Sequence, residues 1–287
     1  MAEILKGAPV AAALSEALTG RVEQLRTVGV IPTLAIVRAG ENDSDLSYER
    51  SAEKRCAKIG VEVRHFVLPG NCAQSELLEV LRQVNEDDSI HGCLMLRPLP
   101  KHLDERAVCE VLLPEKDVDC ITGASLCGVF TGEKQGYPPC TAQACLEILD
   151  HYGYELKGKR VTVIGRSLVI GKPVSMMLQS RNATVTMCHT KTTDMPLVCR
   201  EAEILVVAAG KAGVVDETFV SPGQVVIDVG INVDRSGKLC GDVAFDRVEP
   251  VAAAITPVPG GVGAVTTAVL VKHIVEAAEK RREAICC

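Results

Sequence analysis

The sequence predicts an α/β protein of two domains, the first built on a parallel sheet, the second doubly wound and Rossmann-like. Three observations carry this. Short β-branched runs alternate with helical periods in two series, and such alternation implies parallel strands covered by helices. Residues 114–140, between the series, are rich in Gly, Pro and Cys and read as irregular. The second series opens on VTVIGRSLVIGKP (161–173), a strand, a glycine turn and a helix start. A length of 287 residues accommodates two domains.

Taken in order, residues 9–28 read as an amphipathic helix and TLAIV (33–37) as a strand. A helix over about 44–58, the strand VEVRHFV (61–67) and a helix over about 75–85 follow. A strand near 92–96 and a helix over about 104–112 end the first series. Thr141 is placed to N-cap the helix AQACLEILDHYG, and Gly153 to stop it. RVTVIG (160–165), ATVTMCH (183–189), EILVVAAG (203–210) and QVVIDVG (224–230) are the strands of the second series. The chain ends in a long helical pattern after PVPGGVG (257–263). Its apolar residues Val269, Leu270, Ile274 and Ala277 need a partner surface, and the first domain is the expected one. The expected domains are therefore 1–140 with 267–287, and 141–266.

Composition narrows the partners. Hydrophobic residues make up 47% and charged residues 24%, enough apolar surface for a packed core. Aromatics are 3% and Trp is absent, so the core must be aliphatic and an aromatic-rich binding surface is not expected. A net charge of -6 and a pI of about 5.6 argue against nucleic acid and anionic membranes. No apolar run reaches the roughly 20 residues that span a bilayer. The start, MAEILKGAPV, lacks the pattern of a secretory signal, so a cytoplasmic location is expected. The 13 cysteines contain no CxxC pair and read as reduced structural thiols, with no metal site expected. Cys286 and Cys287 are expected on a frayed tail.

The glycine turn carries the first chemistry. Gly165 lets the chain turn sharply, Gly171 permits close backbone approach, and the next helix offers amides and a positive dipole end to a pyrophosphate. The spacing is not GxGxxG, and an ordinary strand-to-helix turn remains open on that motif alone. Arg166 adds a guanidinium suited to a 2′-phosphate. The next strand ends Cys188-His189-Thr190-Lys191-Thr192, with hydroxyls and a cation but no carboxylate for ribose hydroxyls, which favours NADP over NAD. His189 reads as a hydrogen-bonded residue at a strand end rather than a ligand or switch.

GRSLVIGKP (165–173), CHTKT (188–192), DVGIN (228–232), GDV (241–243) and ITPVPGGVG (255–263) follow one another in the chain. Together they resemble the motifs of the bifunctional methylenetetrahydrofolate dehydrogenase/cyclohydrolase family. KDVDC (116–120), PCTAQAC (139–145), GCLMLRPLP (92–100) and Tyr48 resemble that family's first-domain segments less closely. The resemblance implies two α/β domains with a cleft between them, a homodimer through the NADP domain, and tetrahydrofolate one-carbon derivatives as substrates. It implies that Gly165, Arg166 and Ser167 form the NADP turn, that Thr190 lies near the 2′-phosphate, and that Ile231 lies beside the nicotinamide. It further implies that Tyr48 and Asp119 hold the folate and that the loop of Pro259, Gly260, Gly261 and Val262 closes over it.

The sequence departs from the family pattern where catalysis would be. The family's YxxxK reads Tyr48-Glu49-Arg50-Ser51-Ala52, so Ala52 stands at the lysine position. Leu96 stands at the position of the glutamine that partners it. Cys120, Ala142 and Ala144 replace family glycine, proline and glycine. Lys54 should point to another helix face; Arg55 shares a face with Ala52 but makes a poor base. Arg97 should point away from Leu96's side. Hydride transfer from the one-carbon bridge moves no proton and needs positioning, whereas the cyclohydrolase step needs a proton shuttle worth about 10²–10⁴-fold. The expectation is an NADP-dependent methylenetetrahydrofolate dehydrogenase with weak or lost cyclohydrolase activity. The alternatives are a fully bifunctional enzyme using Tyr48 and water, and an inactive folate- or NADP-binding protein.

Overall fold

The computed structural model describes residues 1–286 apart from Arg235, and the side chains of these except Ser44, Ala284, Ile285 and Cys286. Cys287 and the Cys286 thiol, expected on a frayed tail, lie outside the described residues. The first elements are β1 (Glu3–Ile4), α1 (Gly7–Thr27), β2 (Thr33–Ala39), α2 (Asp43–Ile59), β3 (Glu62–Leu68), α3 (Gln74–Glu86), β4 (Gly92–Met95), α4 (Glu105–Cys109) and α5 (Gly123–Thr131). There follow α6 (Cys140–His151), β5 (Arg160–Ile164), α7 (Gly171–Ser180), β6 (Thr184–Cys188), α8 (Met195–Arg200), β7 (Ile204–Val207) and β8 (Val225–Asp228). The last are β9 (Asn232–Val233), β10 (Leu239–Cys240), α9 (Phe245–Val248), β11 (Ala254–Ile255) and α10 (Gly263–Cys286). Among the described residues no helix is long and apolar enough to cross a membrane.

The chain forms two compact units, Met1–Ala12 with Thr141–Thr266, and Ala13–Cys140 with Thr267–Cys287. Met1–Ala12 was expected in the first domain. It belongs with 141–266 because β1 pairs in parallel with β11, Glu3 opposite Ala254. Two-residue strands carry no periodicity, so the sequence pattern hides this pairing.

In the unit containing residues 13–140, strands lie in the order β3–β2–β4, all parallel. Leu34 to Val37 of central β2 are fully buried, as a doubly covered strand requires. Helix α2 begins with Asp43 and Asp45 near its positive end, carries Lys58 in its last turn, and stops at Gly60 with φ 92. Helix α3 buries Leu77, Leu81 and Val84, and Leu81→Ala there would cost roughly 2–5 kcal/mol. Helix α10 supplies the expected partner surface: Nδ1 of His273 bonds the Val118 carbonyl at 2.9 Å, and Arg21 Nε of α1 bonds Glu279 at 2.8 Å. Gly92 is required there, since a Cβ would lie 2.6 Å from Val118.

Three expectations change in this unit. Residues 114–140 are not all irregular, because they contain α5, whose Thr122 hydroxyl caps the Ser125 amide at 3.1 Å and whose end is Gly132 at φ 77. Thr141 is not an N-cap. The helix starts at Cys140, whose amide is taken instead by Asp119 Oδ1 at 3.2 Å. The helix expected over 104–112 is only α4, capped by Asp104 and ended at Cys109 before a 3-10 turn at Pro114–Lys116.

The other unit holds a six-stranded parallel sheet in the order β1–β11–β8–β7–β5–β6, with the β9–β10 hairpin apart from it. Strand order reverses at β5, as in doubly wound folds. Every described cysteine side chain is a free thiol, and nine are buried, in keeping with structural thiols.

Candidate active site

In the unit of residues 13–140, the segment after the Pro114–Lys116 turn is pinned from both sides of Val118. Lys116 Nζ donates to the carbonyls of Val84, Asn85 and Asp87 at 2.5–2.9 Å. Asp117 accepts from the amides of Ile121 and Thr122, both at 2.9 Å, and from the Thr122 hydroxyl at 2.8 Å. These anchors set Asp119, whose carboxyl is pushed up by burial against the opposing pull of the Cys140 thiol and amide. Tyr48 is close enough to feel that carboxylate. Its phenol is held well above its ordinary value by burial first and by Asp119 next. The structure therefore brings together the two residues expected to hold the folate. At neutral pH the Tyr48 phenol keeps its proton and acts as a donor.

Ala52 lies one helical turn beyond Tyr48 on the same face of α2 and is fully buried. Leu96 is buried too, and its amide continues the β2–β4 ladder by donating to the Val37 carbonyl at 2.9 Å. Neither side chain can exchange a proton. Lys54 is exposed, on another face as expected. Arg55 is engaged elsewhere, donating to Ser15 Oγ on α1 at 3.1 Å. Arg97 pairs with Glu105 at 3.4 Å, and its charge weakly opposes the rise of the Asp119 carboxyl.

Glu49, Glu53 and His65 bring potential metal-ligating atoms within 4.8 Å of one another. The imidazole already bridges the carboxylates, Nδ1 to Glu49 and Nε2 to Glu53 at 2.9 Å each, and Arg38 Nε lies 3.2 Å from Glu49. A guanidinium beside the cluster disfavours a cation, so ion pairing accounts for the group.

In the other unit, Gly165 adopts φ 138, and a Cβ there would stand 2.3 Å from the Ala208 carbonyl oxygen. A Cβ on Gly171 would stand 2.3 Å from the Gly165 oxygen. Both glycines are thus sterically required, Gly165 for the sharp turn and Gly171 for the close backbone approach expected of them. The free amides are not where they were expected. Ser167 uses its Oγ to accept from Ile170 and Gly171 (3.1 and 3.4 Å) and its carbonyl to accept from Lys172 (3.0 Å). The helix start is thereby closed. The exposed turn Arg166–Val169 instead has amides without a partner among the described residues, and so does the Arg166 guanidinium. After β6, Thr192 closes the turn by accepting from the His189 amide at 2.9 Å. Thr190 is left exposed. His189 Nδ1 accepts from the Lys191 amide at 3.1 Å, the structural role expected of it.

Ile231 and the loop of Pro259, Gly260, Gly261 and Val262 line one cavity of about 280 Å³. Ile231 is 68% exposed while Val262 is 2% exposed, so Val262 anchors the loop and Ile231 offers a face. Gly260 takes φ 99 and its carbonyl accepts from the Gly7 amide at 2.8 Å. Two residues that sequence reasoning did not assign hold this cavity. Asp228 accepts from the amides of Gly230, Asp242 and Val243 at 2.9–3.1 Å. Asp242 in turn accepts from the amides of Gly210 and Lys211 and from Asn232 Nδ2, at 2.8–2.9 Å. Burial pushes the Asp228 carboxyl up to about 6 despite those amides. Both residues sit inside DVGIN and GDV, but their joining is tertiary.

Comparison with known proteins places this geometry. Residues 139–282 match the family model described as the NAD(P)-binding domain of tetrahydrofolate dehydrogenase/cyclohydrolase, and residues 5–119 match its catalytic domain. The bifunctional protein FolD of Clostridioides difficile (strain 630) is 52% identical over 275 residues, 96% of each chain. The structure of the bifunctional enzyme FolD, methylenetetrahydrofolate dehydrogenase/cyclohydrolase, from Campylobacter jejuni aligns with a TM-score of 0.95 at 36% identity, covering 98% of this chain and 100% of that one. The Trypanosoma brucei methylenetetrahydrofolate dehydrogenase-cyclohydrolase, solved with NADP cofactor and inhibitor, aligns with a TM-score of 0.90 at 36% identity, covering 97% and 98%.

Proposed function

The chain belongs to the tetrahydrofolate dehydrogenase/cyclohydrolase family, and from that premise we propose that it is an NADP-dependent 5,10-methylenetetrahydrofolate dehydrogenase with weak or lost cyclohydrolase activity. The observation that carries the proposal is the face of α2: a protonated Tyr48 beside Asp119, and one turn on a buried methyl group, Ala52, in place of an amine.

The turn after β5 fits a dinucleotide phosphate. Gly165 lets the backbone pass tight against the Ala208 carbonyl, the Arg166–Val169 amides have no partner among the described residues, and Arg166, likewise without one, is a cation suited to a 2′-phosphate. Bound there, NADP supplies the hydride acceptor. Ile231 and the Pro259–Val262 loop offer an apolar wall that excludes water. Asp119 accepts hydrogen bonds from the pterin, and Tyr48 donates one from its phenol. Orientation by such groups is what hydride transfer demands, since no proton moves in that step.

The cyclohydrolase step adds water to the methenyl carbon, and a proton must leave that water. Tyr48 is poorly suited to accept it, because burial and Asp119 both hold its own proton on. Ala52 and Leu96 offer no alternative, and Arg55 is committed to Ser15. The second reading, a fully bifunctional enzyme, is favoured by the names of relatives as similar as 52%. The proposal extends to the assembly, a homodimer through the 141–266 unit, for which light scattering of purified protein is the test.

One sample tests the main reading. NADPH formation is followed with methylenetetrahydrofolate, and then the decay of methenyltetrahydrofolate is followed without nucleotide. Hydride transfer without accelerated decay is the expected result. Decay at a rate comparable to dehydrogenase turnover would establish the bifunctional reading instead.

A further inference from the structure

We propose that the amino-terminal edge of the β3–β2–β4 sheet carries a binding site for a small phosphate, free or as a monoester, with His91, Arg281 and Arg282 as its donors. A cavity of about 270 Å³ opens there. Thr33 and Glu62, which begin β2 and β3, line it, as does His91, which immediately precedes β4. The residues assigned to folate chemistry belong to the other edge: α2 with Tyr48 follows β2, and Leu96 follows β4. The cavity is therefore separate from that chemistry.

His91 is only 7% exposed. Its Nδ1 accepts from the Thr33 amide at 3.2 Å. Accepting at Nδ1 assigns the proton of the neutral ring to Nε2. Nε2 has no partner among the described residues. The ring is mostly buried but this N–H keeps access to the cavity and is free to donate into it. Protonation of the ring does not resolve the matter, because a second N–H would then face the Thr33 amide.

Arg281 lines the same cavity and repeats the observation. One of its terminal nitrogens pairs with Asp88, while its Nε is buried without a hydrogen-bond partner. Arg282, exposed, adds a guanidinium with no partner among the described residues. Arg64 also lines the cavity but is committed to Asp87 at 2.8 Å. A second cavity of about 250 Å³, also lined by His91, brings Lys116 and Lys280. Around the two cavities five cations face the carboxylates of Glu62, Asp88 and Glu115, in a chain of net charge -6. Local positive potential is thus concentrated where the chain as a whole is acidic. The ring reports it: burial first, and then Arg281, Lys116 and Arg64, push His91 down to about 4. The unspent nitrogens at the cavity, His91 Nε2, Arg281 Nε and the Arg282 guanidinium, are all donors and outnumber the one unspent carboxylate, Glu62; a guanidinium fork with an added N–H matches the oxygens of a phosphate.

The test uses the full chain with histidine-selective isotope labelling, inorganic phosphate as the probe, and sodium chloride at matched ionic strength as the control. His91→Gln assigns the signal. The expected result is a saturable shift of the His91 Nε2 resonance in the millimolar range, weakened roughly tenfold in Arg282→Ala. Arg282 is exposed and outside the folate and nucleotide machinery, so dehydrogenase turnover of that variant should match the parent. A shift that fails to saturate, that chloride reproduces, or that survives unchanged in Arg282→Ala would overturn the site. Tighter binding of acetate than of phosphate would overturn the ligand class.

Discussion

On the proposed reading, the nucleotide turn of the 141–266 unit would work mainly through main-chain atoms, whereas the folate face of the 13–140 unit would work through side chains. In the first, Gly165 and Gly171 are required because carbonyl oxygens lie 2.3 Å from where their Cβ atoms would be. Its proposed pyrophosphate donors are the amides of a turn, with one side chain, the Arg166 guanidinium, added for the 2′-phosphate. In the second, Tyr48, Asp119, Ala52 and Leu96 are borne on α2, on the pinned 116–122 segment and at the end of β4. A site of main-chain atoms can be altered only by disturbing the fold. Side chains can be exchanged without such disturbance, since Ala52 and Leu96 pack as ordinary core residues, and the proposed loss of one chemical step rests on that freedom.

Four measurements would sharpen or break that contrast. The largest effect is expected from Ala52→Lys with Leu96→Gln, which should raise methenyltetrahydrofolate hydrolysis about 10²–10⁴-fold while dehydrogenase turnover changes little. An unchanged hydrolysis rate in a folded double variant would show that the side-chain contrast is misplaced. Gly165→Ala comes next. The strained φ and the Ala208 contact should weaken NADP binding by about a hundredfold or more in calorimetry. Folate binding should persist. Arg166→Ala should lower NADP affinity roughly tenfold and leave NAD affinity nearly unchanged, since the guanidinium serves one phosphate. Equal losses for both nucleotides would remove Arg166 from that role.

The smallest effect concerns acid. His91 and His273 are buried and pushed down to about 4, whereas an unfolded histidine titrates near 6.5. Between those values the unfolded state binds more protons, so lowering the pH destabilises the 13–140 unit. The slope is at most about 1.4 kcal/mol per pH unit for each histidine. Asp228 has the opposite sign: its carboxyl is raised to about 6, so between about 6 and 4 the folded state binds the extra proton and the 141–266 unit gains. Hydrogen exchange at pH 7 and pH 5 should therefore show protection falling in the first unit relative to the second. The reverse ranking would contradict it.

Much of this was legible in the sequence. Strand–helix alternation announced both parallel sheets, and Gly165 and Gly171 marked the turn. Helix α5 escaped because two of its nine residues are glycines, although Thr122 and Gly132 bracket it with a cap and a stop. The start of α6 was misplaced because its amide acceptor, Asp119, comes from another segment. The Asp228–Asp242 scaffold and the spare Nε2 of His91 were invisible for the same reason. Local pattern records what a residue prefers along the chain, and these depend on partners 14 to 58 positions away.

The parallel pairing of β1 with β11 has a consequence for synthesis. On the ribosome, Glu3 and Ile4 emerge long before their partners Ala254 and Ile255 are made. The β1 segment thus stays unpaired until β11 has been made. The 13–140 segment can begin assembling its sheet much earlier. A nascent chain paused before residue 254 should carry a β1 segment that proteases still reach, and the finished protein should not.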